Sequence, residues 1–74
     1  MPTLEWDFHG PDAQGTAEHF QEHLDDFLGV NALTGCATRV DRPEPGRAVV
    51  VCEAPAAWAE AIARALKPAR RSGE

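Results

Sequence analysis

Gly35–Glu53, GCATRVDRPEPGRAVVVCE, decides how the rest of the chain is read. Two β-prone runs flank Pro43-Glu44-Pro45-Gly46, the composition of a β-hairpin with a connecting loop of four or five residues. The second run, Ala48-Val49-Val50-Val51-Cys52, is apolar at every position, which places it in the middle of a sheet. Centring the turn on residue 44 sets Cys36 opposite Cys52, Thr38 opposite Val50, Val40 opposite Ala48 and Asp41 opposite Arg47. That register gathers the even-numbered apolar side chains on one face and pairs opposite charges beside the turn.

Upstream of the hairpin, Leu4-Glu5-Trp6-Asp7-Phe8-His9 alternates apolar and polar residues, as a strand with one buried face does. Gly10-Pro11-Asp12 ends it and supplies helix-starting residues. Ala13, Ala17, Phe20, Leu24, Phe27 and Leu28 then form one apolar stripe, predicting a helix from about Asp12 to Leu28. Gly29 stands where a left-handed C-cap is expected. Asp25 and Asp26 oppose the helix dipole in its last turn, a cost that a basic partner would offset.

Downstream, Pro55 opens a second helix with Trp58, Ile62, Ala65 and Leu66 as its apolar stripe, and Pro68 stops it. Residues 69–74 read as a frayed basic tail beyond a single domain at 1–68. The order βαββα is that of an α+β domain. A right-handed crossover then predicts a three-stranded sheet of order 1-3-2 with both helices on one face, a truncated ferredoxin-like arrangement lacking its fourth strand. The first strand is left with an open edge, so Leu4, Glu5, Trp6, Asp7 and Phe8 are the predicted partner contacts, for a second copy or another protein.

Size and charge narrow the function classes. A chain of 74 residues buries only about 60% of its unfolded surface, so a partner subunit is one natural source of extra stability. Residues 1–38 contain no Lys or Arg, and all seven basic residues lie from Arg39 onwards. An acidic first half argues against nucleic-acid binding, which needs phosphate-neutralising cations spread over one face. The N-terminal stretch has no basic and apolar segments of a signal peptide, and no apolar run is long enough to span a membrane. The expectation is a soluble cytoplasmic protein with reduced thiols.

Four side chains on the first helix have metal-ligand chemistry: His19, Glu22, His23 and Asp26 share one face at helical spacing. The spacing is not H-E-x-x-H, and the face lies opposite the apolar stripe, so the reading is a solvated polar face first and a metal site second. Cys36 and Cys52 are not C-x-x-C; they read as small buried residues, and whether they pair as a disulfide depends on geometry. No Gly-rich phosphate loop and no Cys-His nucleophile arrangement is present, so neither cofactor nor catalytic residue is expected.

Met1-Pro2-Thr3-Leu4-Glu5, followed by a strand and an amphipathic helix, resembles the tautomerase family, and Val49-Val50-Val51-Cys52-Glu53 with Trp58 echoes its second strand. The resemblance implies an oligomeric enzyme in which Pro2, freed by loss of Met1, acts as a general base. The arginine that the family carries just before its helix is replaced here by Gly10-Pro11-Asp12. The residues themselves favour a non-catalytic interaction or regulatory module that self-associates through the edge of the first strand. The tautomerase-like enzyme and metal binding at His19 and His23 stand as alternatives.

Overall fold

The computed structural model describes residues 2–73, whose elements are β1 (Thr3–His9), α1 (Ala13–Val30), β2 (Ala37–Glu44), β3 (Arg47–Glu53), α2 (Ala56–Leu66) and β4 (Arg70–Ser72). They make a small α+β domain with two helices and one antiparallel four-stranded sheet, ordered β2-β3-β1-β4. β3 is central, as its all-apolar run requires, and Ala48 to Cys52 are all buried.

The sheet has four strands, not three, because the stretch expected to fray carries β4. Lys67 takes a left-handed conformation (φ 50°) after α2, and Pro68 prevents the helix from resuming. The chain reverses, the Ala69 N–H donates to the Glu5 carbonyl at 2.8 Å, and Arg70–Ser72 pair antiparallel with Glu5–Thr3. The edge expected to stand open is therefore occupied along three of its seven residues, Thr3 to Glu5, by β4.

The hairpin register also differs. Thr38 faces Cys52, Val40 faces Val50 and Asp41 faces Val49, two residues away from the expected pairing but with the same side chains on each face. Only Pro45 and Gly46 (φ 76°) make the turn, and Glu44 faces Arg47. One residue is surplus: Arg42 and Pro43 together oppose the single Ala48, in an irregularity between Asp41 and Glu44. Pro43 has no N–H for the ladder, so a bulge is where the strand tolerates it.

Leu4, Trp6, Ala48, Val50 and Cys52 face α1 and α2, and pack with Ala13, Ala17, Leu24, Leu28 and Ile62 into one core. Phe20 lies between Trp6 and Phe8, with ring centroids 5.1 and 5.5 Å away. On α2 the buried positions are Ala59 and Ile62, and Ala65, expected in the stripe, is exposed. Both indoles fasten helices to their surroundings: Trp6 Nε1 donates to the Leu66 carbonyl at 2.9 Å, and Trp58 Nε1 to the Thr34 carbonyl at 3.0 Å.

α1 runs past Gly29. Its C-cap is Asn31, whose Nδ2 donates to the Phe27 carbonyl at 2.8 Å, and the left-handed residue that follows is Ala32 (φ 55°). The Leu33 N–H then reaches the Leu28 carbonyl at 2.9 Å, closing the helix end. No described helix is long and apolar enough to cross a membrane.

Candidate functional site

Strand alternation divides the sheet into two unlike faces. The face turned away from the helices carries Val49 and Val51 at its centre, flanked by Glu5 and Asp7 on β1, Arg39 and Asp41 on β2, and Arg70 on β4. Val49 and Val51 are only 5% and 3% exposed, so arginine stems and their carboxylate partners cover them. Arg70 bridges Glu5 (2.8 Å) and Asp7 (2.7 Å). Arg47 Nη2 reaches Asp7 at 3.1 Å, and Arg39 spans Asp41 and Glu53 at 3.1 and 3.0 Å. A shallow hollow of about 260 Å³ remains over the valines, lined also by Glu5, Asp41, Arg47 and Arg70.

This lattice sets its own protonation. Hydrogen bonding from Arg70, with a smaller share from Arg47, outweighs burial and holds the Asp7 carboxyl well below the usual carboxylate range. The same pairing raises Arg70. Arg47 Nε is buried without a hydrogen-bond partner among the described residues. Each carboxylate of the lattice, Glu5, Asp7, Asp41 and Glu53, lies beside at least one guanidinium.

The predicted partner contacts on β1 divide by parity. Leu4 is fully buried, Trp6 is 6% exposed and Phe8 packs against the core, so these three side chains face α1 and α2. Glu5 and Asp7 belong to the arginine lattice. At the edge itself β4 pairs with Thr3, Leu4 and Glu5 only. The remainder, Trp6 to His9, has no strand neighbour on that side among the described residues.

On α1 the outer face is built as its spacing predicts. Glu18, His19, Glu22, His23, Asp25 and Asp26 are all exposed. The Nε2 atoms of His19 and His23 stand 2.9 Å apart, but Glu22 and Asp26 do not join them. Among the described residues no group of three or more His, Cys, Asp or Glu is placed to hold a metal. Asp25 accepts from the Thr38 hydroxyl at 2.8 Å, and Glu18 from the Gln14 amide at 3.0 Å. Among the described residues no Lys or Arg forms an ion pair with Glu18, Glu22, Asp25 or Asp26.

Cys36 and Cys52 are both free thiols. Cys36 precedes β2 and lines a hollow of about 420 Å³ at the C-terminal end of α1, with Leu28, Ala32 and Leu33. Burial, and then the neighbouring Cys36, push the Cys52 thiol up to about 12, the opposite of what a nucleophile needs. Pro2 is buried at the strand end, its carbonyl accepting the Ala54 N–H at 3.0 Å, and it lines none of the hollows described here. A further hollow, about 530 Å³, lies between Gly10–Gln14 and the hairpin turn, with Arg42 and Arg47 in its wall.

The arginine lattice is the feature that pattern reading missed. Its signal is present as charged residues at period two, Glu5/Asp7 on β1 and Arg39/Asp41 on β2, and it becomes legible only once Arg70 is known to return to the sheet. No protein-family model, curated protein or solved structure matches this chain.

Proposed function

We propose that this chain is a small non-catalytic interaction module that presents the outer face of α1 to a basic partner. The observation that carries this reading is the division of charge. Acidic groups on the sheet are taken up by Arg39, Arg47 and Arg70, whereas Glu18, Glu22, Asp25 and Asp26 stand exposed without an ion pair among the described residues. With α1 continuing to Val30, Asp25 and Asp26 lie before its last turn, and a docked basic partner would neutralise them together with Glu18 and Glu22. The test is NMR shift mapping with a Lys/Arg-rich peptide, comparing the wild type with Glu18→Gln/Glu22→Gln/Asp26→Asn. Saturable shifts confined to α1 and lost in the variant are expected. Shifts spread over every acidic residue, or unchanged in the variant, overturn the reading.

Self-association through the β1 edge is favoured by a separate observation, that β4 covers only Thr3 to Glu5 and leaves the rest of the edge unpaired. An unpaired stretch of edge suits it, because a second copy could then extend the sheet. Solution mass over a concentration series, for the intact chain and for one ending at Pro68, tests it. Dimers that tighten when β4 is removed support edge pairing; two monomers at every concentration exclude it.

A further inference from the structure

His19 and His23 are one helical turn apart on the outer face of α1, both exposed, with ring centroids 4.6 Å apart and ring planes inclined by 68°. Their Nε2 atoms approach to 2.9 Å, one ring donating a hydrogen bond to the other. That distance is the length of a hydrogen bond between the rings, and it is also a separation that two ligands of one metal ion can keep. Two nitrogens, each about 2.0–2.1 Å from a common metal and as far apart as these, subtend roughly 90° at it, whereas a tetrahedral pair would stand about 3.3 Å apart. A right angle is the cis angle of tetragonal or octahedral coordination, the geometry of Cu²⁺ and Ni²⁺ with nitrogen ligands.

We propose that His19 and His23 form a two-imidazole clamp for a divalent transition-metal ion of the Ni²⁺/Cu²⁺ class, with water completing the coordination. Metal replaces the shared hydrogen bond. The proton on the donating Nε2 moves to Nδ1 of the same ring, and a modest rotation of each ring turns both Nε2 lone pairs toward one point. Exposure leaves both rings free to make that rotation. Glu18, Glu22 and Asp26 on the same helix, with no Lys or Arg anywhere in Ala13–Val30, raise the local concentration of cations without ligating them. The clamp stands independently of whether this face also docks a protein.

Isothermal titration of the intact chain with Ni²⁺, which leaves Cys36 and Cys52 unoxidised, tests the assignment. One Ni²⁺ per chain is expected, with affinity falling on the order of tenfold or more in His19→Ala and in His23→Ala, because each loses the chelate. His9→Ala, on β1, is expected to bind like the wild type. Both α1 variants replace exposed side chains with the best helix former, and circular dichroism confirms that they remain folded. Absence of Ni²⁺ binding in the wild type overturns the proposal, as does binding that neither α1 substitution weakens.

Discussion

Replacing Gly29 with alanine separates two accounts of the same helix end by the sign of its effect. Pattern reading puts Gly29 at a left-handed cap, where a Cβ costs about 1–2 kcal/mol. In the structure Gly29 is helical, and a Cβ built there meets nothing within 4 Å. Gly→Ala inside a helix is worth up to about 1 kcal/mol, and one residue from the last turn's end about half to all of that is expected. For a domain of this size 1 kcal/mol moves the melting temperature by about 4–8 °C, so Gly29→Ala should melt several degrees higher. Ala32, not Gly29, holds the left-handed conformation, so Ala32→Gly should also stabilise, by relief of the Cβ clash. Thermal unfolding followed by far-ultraviolet circular dichroism measures both. A lower melting temperature for Gly29→Ala would refute the placement of the helix end and with it the hollow beside Cys36.

Two further predictions follow from protonation. The Asp7 carboxyl is held low when folded, so its contribution is present above the ordinary carboxylate value, about 3.9, and is lost as pH falls through that value toward the lowered one. Asp7→Asn should therefore be less stable than the wild type at neutral pH and lose less on acidification to about pH 2; parallel urea midpoints for the two would contradict the lattice. Cys52, fully buried with its thiol raised to about 12, should resist iodoacetamide at mildly alkaline pH while Cys36 reacts slowly, as mass spectrometry of the labelled peptides would report. Equal labelling of both in the folded protein would show that the β3 thiol is reached by solvent.

The α+β class, the two helices, the inward Leu4-Trp6-Phe8 face and the central place of β3 were legible because each rests on a hydrophobic period or an unbroken apolar run. β4 was not legible. Arg70, Arg71 and Ser72 are all exposed and bury no apolar face, so three polar residues held by backbone pairing and by Arg70 leave no period to read. The register differs by two residues because Pro43, which has the composition of a turn, is accommodated in a bulge. The candidate surfaces fared unevenly for the same reason. The α1 face follows from helical spacing within one segment, whereas the edge of β1 depended on a segment far away in the chain.

That distance has a consequence for how the protein is made. Every strand neighbour of β1 lies in the second half of the chain, and Trp6 completes its hydrogen bond only at Leu66. During synthesis β1 emerges ahead of its strand neighbours, and its backbone edges stay unpaired until β3 and then β4 have left the ribosome. The β2–β3 pairing is local, whereas β1 reaches β3 across the whole of α1 and β2, so the larger loop-closure cost falls on β1. A nascent chain stalled before Arg47 exposes an amphipathic strand with no native partner, the state most open to chaperones and to mispairing with another copy.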